Sequence, residues 1–307
     1  MNHVTYNNHY KITVDITFMN FINNNYIPDV QLLSNIYSDY HHIGSAGNLI
    51  SYGVFDLDSS ANPSRLLQRG VIYSTTTSTV RTMISTAILE SVTSSWYDNS
   101  TNNLSPAKGN TVPVDPATKP AGYSWLKAPR YGTHPCEAGP LARMWVNGDY
   151  RQGLGVMDRH MARALETQKI ANAMLGWLGQ LSVGAPVYTP ITAGFNASGI
   201  GLTEAPRGAL GHWLTTAPGT TLAPNGTASI ASYQIITPTC WNASPMDSNG
   251  YHGPIEQALL NTPVANASQP VEVLRVVHSF DPCMSCAVHV MRPDGKPVTI
   301  LNGQPAF

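Results

Sequence analysis

The sequence predicts an α+β protein that is mainly α-helical, with irregular loops and a few short strands. Three observations lead to this prediction. Apolar residues recur at three- and four-residue spacings from Val156 to about Leu181, as on a buried core helix. Glycine and proline dominate residues 183–226, which is typical of long irregular connections. Apolar and polar residues alternate from Ile12 to Phe18, as in a half-buried strand.

Local patterns predict the other elements in chain order. Residues 30–40 have a helix-like pattern, and the glycines within residues 43–55 indicate a loop or the edge of a strand. Residues 81–92 carry a helical apolar stripe, whereas residues 97–122 are rich in Asn, Pro, Thr and Gly and predict a long surface loop. A Gly-Pro pair at its start and an Asn-Thr-Pro run after its end predict a short helix over residues 254–260.

The charge content narrows the classes of partner. The 307 residues include 17 Lys and Arg against 18 Asp and Glu, for a formal net charge of -1. This balance lacks the basic surplus that nucleic-acid binding requires, so we expect no nucleic-acid partner. Only 11% of the residues are charged, against about 25% in ordinary soluble domains. We therefore expect part of the surface to be covered by another polypeptide.

Segments that direct export or membrane insertion are not predicted. The first residues do not show a basic stretch followed by an apolar one, and no window approaches about 18 uninterrupted apolar residues. We therefore expect any export or membrane attachment to depend on a partner.

Two of the four cysteines form the most informative motif. Cys283 and Cys286 lie in Asp281-Pro282-Cys283-Met284-Ser285-Cys286, and His289 follows three residues later. Two thiolates at this spacing can bind one soft metal ion, and a nearby imidazole adds a further ligand. A redox dithiol and one half of a zinc site are the alternatives that the spacing leaves open.

The residues around this pair resemble a known family. Residues 278–289, His-Ser-Phe-Asp-Pro-Cys-Met-Ser-Cys-Ala-Val-His, resemble the C-terminal metal-binding motif of nickel-iron hydrogenase large subunits of the uptake type. Further matches occur upstream in the same order: Tyr26 to Val30, Tyr123 to Trp125, Lys127 to Tyr131, Gly139 to Arg143, Thr203 to Gly208, Pro238 to Asn242 and Val271 to Arg275.

The resemblance implies an activity and a cofactor. The family splits molecular hydrogen reversibly into protons and electrons at a nickel-iron centre, with carbon monoxide and cyanide on the iron. By this resemblance Cys283 binds nickel and accepts a proton, and Cys286 bridges nickel and iron. Arg207, which follows Pro206, places a guanidinium over the open face of the metals, a position in which a fixed cation orders the site and can stabilise charge.

Other residues receive supporting roles from the same resemblance. Thr239 is expected to donate a hydrogen bond to a cyanide. Asp281 is expected to pair with Arg207 or to orient the thiolate. His289 is expected to bind magnesium, together with the backbone carbonyl of Ile235.

The resemblance also divides the chain. Residues 1–25 are an unmatched segment, and residues 26–289 correspond to the C-terminal domain of the large subunit. Residues 290–307 are expected to be removed on maturation by a dedicated endopeptidase, which cuts between His289 and Val290. The alternative is that this tail forms a final strand.

The family's pattern is incomplete in this sequence. The large subunit also uses an N-terminal CxxC pair, which is absent here. We therefore expect a catalytic subunit that is incomplete as it stands. It would need one polypeptide to supply those thiolates and an iron-sulfur small subunit to accept electrons. The alternative is an inactive truncated fragment that acts at most as a partial metal-binding or interaction module. The family also implies a periplasmic or membrane-associated location, reached through the small subunit.

Overall fold

We describe the protein from a computed structural model, which describes residues 3–6, 10–13, 16–74, 78–182, 184–186, 188, 197–217 and 230–283. Seven α-helices lie in these residues: α1 (Ile16–Phe21), α2 (Ile27–Ile36), α3 (Pro140–Asn147), α4 (Val156–Gln180), α5 (Pro238–Asn242), α6 (Pro254–Leu259) and α7 (Val271–Ser279). Nine strands accompany them: β1 (His3–Tyr6), β2 (Tyr10–Thr13), β3 (Leu49–Asp56), β4 (Arg65–Ile72), β5 (Ile88–Ser91), β6 (Ala128–Tyr131), β7 (Ser198–Ala205), β8 (Gly208–Thr216) and β9 (Ile230–Ile236).

The strands form small antiparallel sheets. Strands β1 and β2, β3 and β4, and β5 and β6 form three two-stranded sheets, and β7, β8 and β9 form a three-stranded sheet with β8 in the centre. The architecture is therefore α+β, as predicted. Strands take a large share of the described residues, so a mainly helical composition is not established.

Helices α3 and α4 form the centre of the helical part. Helix α3 begins at Pro140, where the fixed proline φ suits the first helical position, and ends at Asn147, before Gly148, whose φ of 86° is left-handed. Helix α4 begins after Gly155, whose backbone N–H donates to the Asp158 carboxylate at 2.7 Å. Both helices pack with β3 and β4 around one apolar cluster.

Two further apolar clusters complete the core. Trp213 of β8 and Trp241 of α5 pack with residues of β3, β4 and β5. The start of α4 packs with α6 and α7 around Val156, Val276 and Phe280. Helix α7, which leads to the cysteine motif, is thus anchored on α4.

The helix predictions have mixed outcomes. Helix α4 confirms the prediction from Val156 onwards, although Met174 and Leu175 near its end are exposed, so it is not a core helix over its whole length. Helix α6 confirms the short helix at Pro254. Helix α2 begins at Ile27, earlier than predicted, and a separate 3₁₀ turn, Ser38–His41, continues it. Residues 97–122 form the expected loop, with two 3₁₀ turns.

The sequence predicts the strands less well than the helices. The stripe in residues 81–92 is not a helix, because Ile88–Ser91 pairs with Ala128–Tyr131 as a strand. A short apolar run does not distinguish the two structures, and the long-range pairing decides. Strand β2 ends at Thr13, and the residues from Ile16 onwards are helical. Residues 183–226, predicted to be irregular, contain β7 and β8.

None of the helices in the described ranges combines the length and the apolar character that crossing a bilayer requires.

Candidate metal centre

Arg207 lies in the two-residue turn that joins β7 to β8. Gly208 directly after it has a φ of 135°, and Gly139 before α3 has a φ of 137°. A side chain at Gly208 would place its Cβ 2.7 Å from the Gly139 nitrogen. Because only glycine allows this approach, the turn lies directly against the N-terminus of α3.

The guanidinium of Arg207 reaches the residue that follows α7 and its cap. Its Nε donates to the backbone carbonyl of Asp281 at 2.9 Å, and it lies 3.4 Å from Oδ2 of the same residue. Asp281 has a φ of 52°, a left-handed conformation that aspartate tolerates better than most residues. The side chains of Arg207 and Asp281 remain 43% and 48% exposed, so this pair faces open space.

Cys283 is held beside this pair by α5. Its backbone N–H donates to Oγ1 of Thr239, which is buried near the start of α5, at 3.4 Å. Cys240 is the next residue of that helix, and burial raises the pKa of its thiol, with a smaller contribution from nearby Cys283. The structure therefore brings Arg207, Asp281, Thr239 and Cys283 together from three separate parts of the chain.

Helix α4 fixes the end of α7 before the cysteine loop. Arg159 donates to the Ser279 hydroxyl at 3.2 Å, and Arg163 donates to the Ser279 carbonyl at 3.0 Å. The Arg159 guanidinium also lies 3.7 Å from the centre of the Phe280 ring, and it forms two hydrogen bonds of 2.8 and 2.7 Å with buried Glu137. Two cations of one helix thus hold the backbone two residues before Asp281.

Arg143 performs a similar task for the turn that carries Arg207. Its guanidinium donates twice to Glu166, at 2.5 and 2.6 Å, and once to Glu204 at 2.9 Å. It also donates to the carbonyls of Ala205 and Pro206, at 3.0 and 2.9 Å. These two carbonyls directly precede Arg207 in the chain.

The charges of this group influence one another. Burial disfavours the charge of Arg143, but the hydrogen bonds and charges of Glu166 and Glu204 outweigh that effect and raise its pKa. Burial raises the pKa of Glu204 to about 7, against the opposing attraction of Arg143. The Glu204 side chain is 1% exposed, and it also accepts the backbone N–H of Tyr52 at 2.5 Å.

A cavity of about 320 Å³ adjoins this network. Its walls include Pro206 and Asp281 from the two loops, Arg163 and Ile170 from α4, and Glu204 from β7. Arg163 is partly buried there, and this burial lowers its pKa.

The other predicted site residues have separate locations. Ile235 lies in β9 opposite His212 of β8. Cys286, His289 and Val290 lie outside the described residues. Within the described ranges no three His, Cys, Asp or Glu side chains form a group that could hold a metal ion.

The buried charges of the network were not predicted as functional from the sequence. Arg143 and Glu204 lie in the two short motifs Gly139–Arg143 and Thr203–Gly208, where they were noted only as matches. Arg159, Arg163 and Glu166 lie on a helix that was predicted to be buried. A charged side chain on a core helix is costly unless it is paired, and this is the signal that could have identified them.

Comparison with known proteins identifies the scaffold. Residues 6–154 and 146–289 match the family described as nickel-dependent hydrogenase. The chain belongs to the nickel-dependent hydrogenase family.

Two curated relatives have the same degree of identity. The periplasmic NiFeSe hydrogenase large subunit of Desulfomicrobium baculatum is 35% identical over 308 residues, which cover 92% of this chain and 57% of the relative. The uptake hydrogenase large subunit of Azotobacter chroococcum mcd 1 is 35% identical over 339 residues, which cover 91% of this chain and 55% of the relative. The chain thus spans little more than half the length of these relatives.

Solved structures show the same relationship. A reduced, active form of the Ni-Fe-Se hydrogenase from Desulfomicrobium baculatum superposes with a TM-score of 0.78 at 36% identity, covering 89% of this chain and 58% of that chain. The reduced Ni-Fe-Se hydrogenase from D. vulgaris Hildenborough gives a TM-score of 0.77 at 32% identity, with 89% and 59% covered.

Proposed function

We propose that the chain supplies the C-terminal part of the catalytic centre of a hydrogenase large subunit, which splits molecular hydrogen reversibly into two protons and two electrons. The observation that supports this most directly is the meeting of Arg207, Asp281, Thr239 and Cys283 through the contacts Arg207 Nε to Asp281 O and Cys283 N to Thr239 Oγ1. These residues come from distant motifs and converge on one place, where the side chains of Arg207 and Asp281 are exposed.

The described residues fit one side of a nickel-iron site. Cys283 offers a soft thiolate, and Arg207 offers a fixed cation with planar donors. When bound, a nickel-iron centre with carbon monoxide and cyanide on the iron supplies the chemistry of heterolytic hydrogen cleavage. The chain's own share is to bind the metals, to order the face above them and to accept a proton.

The individual roles follow from the chemistry of the side chains. Cys283 and Cys286 would hold nickel, and Cys286 would also hold iron. Sγ of Cys283 accepts a proton, because a thiolate is both ligand and base. The Thr239 oxygen accepts the Cys283 N–H, and a hydroxyl that accepts can still donate its own hydrogen, here to a cyanide.

Arg207 and Asp281 act as a pair in this proposal. The bond from Arg207 Nε to the Asp281 carbonyl fixes the plane of the guanidinium, Nη2 lies 3.5 Å from Asp281 Oδ1, and Nη1 is left for the open face. The Asp281 carboxylate beside it, at 3.4 Å, compensates the charge. A cation held in this way needs no reorganisation when charge develops at the site.

A magnesium ion is the second metal of the proposal. His289 binds it through its imidazole, and the backbone carbonyl of Ile235 helps. An imidazole is an unusual ligand for a hard ion, so these assignments depend on family membership alone.

Several partners complete the function. An iron-sulfur small subunit accepts the electrons, and a further polypeptide supplies the N-terminal CxxC pair. A maturation endopeptidase cuts between His289 and Val290. The location is periplasmic or membrane-associated through the small subunit, which is in line with the names of the periplasmic and uptake relatives.

The test is metal analysis on the chain purified from its own host under reducing, oxygen-free conditions, together with hydrogen-dependent dye reduction and the intact mass. We expect about one nickel and one iron per chain, hydrogen-dependent dye reduction, and an intact mass that corresponds to a chain ending at His289. Cys283→Ala should abolish both nickel binding and turnover, because it removes a metal ligand.

Cys136→Ala is the matched control. Cys136 is fully buried in the cluster around Trp213 and Trp241, and burial raises its thiol pKa to about 12, so it is a packing residue. This variant should keep wild-type nickel content. Nickel-free wild-type protein without turnover would contradict the proposal and favour an inactive fragment, as would equal nickel loss in both variants.

A further inference from the structure

A buried arginine outside the metal site contacts the turn that carries Arg207. We infer that Arg143 is a positioning residue, which fixes Arg207 by holding the carbonyls of Ala205 and Pro206. This inference rests on the proposed function for its catalytic consequence, although its structural part can be tested without it.

The geometry of the guanidinium is the first argument. Its three nitrogens contact four groups: Glu166 twice, Glu204, and the carbonyls of Ala205 and Pro206. A planar fork with five N–H donors can satisfy such a set, whereas the single ammonium of a lysine cannot reach two carboxylates and two carbonyls in these directions.

The two carboxylates are the second argument. Glu166 of α4 and Glu204 of β7 both contact Arg143, and all three side chains are almost fully buried. A buried arginine needs only compensation of its charge for stability. Arg143 also donates hydrogen bonds to two consecutive carbonyls that directly precede Arg207, and these bonds determine the path of that backbone.

Gly139, directly before α3, makes a second contact with the turn that carries Arg207. The Gly139 and Gly208 backbones approach so closely that a Cβ on Gly139 would lie 3.2 Å from the Arg207 carbonyl oxygen. Gly139 directly precedes α3, and Arg143 lies one helical turn further along. One short helix therefore contacts the turn at two points, and this leaves little freedom for the direction of Arg207.

The chain offers a matched control for a general loss of core stability. Arg130 is also almost fully buried, pairs with Asp247 at 2.6 Å, and donates to the carbonyls of Pro245 and Tyr251 at 2.9 and 3.0 Å. Its contacts reach residues 244–251 and not the turn at Arg207. Arg143→Lys and Arg130→Lys thus remove the same kind of interaction at two places.

The first measurement is amide hydrogen exchange of the full chain, read by mass spectrometry in peptides over residues 203–210. In Arg143→Lys we expect these amides to exchange at least about tenfold faster, since charge-assisted hydrogen bonds hold the turn. Arg130→Lys should leave them unchanged and should affect residues 244–251. Glu166→Gln keeps the arginine but weakens its two hydrogen bonds with residue 166, so it should accelerate exchange less. This variant replaces Arg143→Lys if the latter does not fold.

The second measurement is hydrogen oxidation by the assembled enzyme, expressed per nickel. A misplaced Arg207 should lower kcat by about 100-fold with little change in KM for hydrogen. The double variant Arg143→Lys with Arg207→Lys should be no slower than Arg207→Lys alone, because both changes remove one function. Nickel content should stay at the wild-type level.

Three results would overturn the inference: unchanged exchange in residues 203–210, the same exchange pattern in Arg143→Lys and Arg130→Lys, or a wild-type kcat per nickel in Arg143→Lys. If the wild-type assembly does not oxidise hydrogen, the proposed function fails, but the exchange data still decide whether Arg143 holds the turn.

Discussion

At the scale of residues, three arginines within the described ranges are almost fully buried, although only 11% of the chain's residues are charged. Arg130, Arg143 and Arg159 each pair with a buried carboxylate and each also donates to a neighbouring loop or helix end. Buried ion pairs contribute little net stability, because desolvation offsets their attraction. Their contribution here is geometric, since each guanidinium also holds a polar group of a neighbouring loop or helix end.

Arg159 gives a test of this balance. Arg159→Met leaves Glu137 buried and without its cation, so we expect a loss of about 3–5 kcal/mol in the free energy of unfolding. Glu137→Leu combined with Arg159→Met removes both charges and should recover most of that loss. Urea denaturation of the two single variants and the double variant measures the coupling. A double variant as unstable as the sum of the single variants would show that the pair is not coupled.

At the scale of elements, the site depends on how helices end and strands begin. Helix α7 ends at Ser279, and the left-handed Asp281 turns the chain towards Cys283. Strand β8 begins at Gly208, whose close approach to Gly139 sets the turn of Arg207 beside α3. Both segments of the proposed site therefore include or adjoin a position where the backbone leaves its common conformations.

Gly208→Ala tests the importance of this contact. The substitution puts a Cβ 2.7 Å from the Gly139 nitrogen, at a φ of 135° that L-residues rarely adopt. We expect a loss of about 1–3 kcal/mol or more in the free energy of unfolding. Gly201→Ala in neighbouring β7 is the control, because a Cβ there meets nothing within 4 Å. Equal denaturation midpoints for the two variants would contradict this reading of the turn.

The elements differ in how far the sequence predicts them. Helix α4 was predictable because its apolar period continues over several turns, and α6 because proline and glycine mark its start. Strand β5 was mistaken for part of a helix, since its partner β6 lies about forty residues further along the chain and a four-residue run has no clear period. Strands β7 and β8 were missed because glycines hide their pattern.

The residues of the candidate site also differ in how far the sequence predicts them. Motifs that carry chemistry, such as the one around Cys283, could be found in the sequence, and the structure brings Arg207, Asp281, Thr239 and Cys283 together. The arginines that support them could only be suspected, from a charge on a predicted core helix, because a paired buried charge and a solvated surface charge look identical in a sequence. Only the three-dimensional position of Glu166 next to Arg143 separates the two cases.

At the scale of the whole molecule, buried Glu204 and partly buried His160 give opposite dependences of stability on pH. Burial raises the pKa of Glu204 from 4.5 to about 7, so its contribution to stability is fully present below pH 4.5 and is lost as the pH rises to 7. Burial lowers the pKa of His160 from 6.5 to about 4, helped by the charges of Arg163 and Arg159. Its contribution is present above pH 6.5 and is lost as the pH falls to 4.

Since the two windows overlap, the slopes oppose each other in the wild-type protein and become visible when one group is removed. For Glu204→Gln, the free energy of unfolding relative to wild type should rise by up to about 3 kcal/mol from pH 4.5 to 8. For His160→Gln, it should rise by a similar amount as the pH falls from 7 to 4. Urea denaturation over this pH range measures both differences, and the double variant should show neither slope. Single-variant curves that run parallel to wild type at every pH would mean that these groups titrate alike in the folded and unfolded chains.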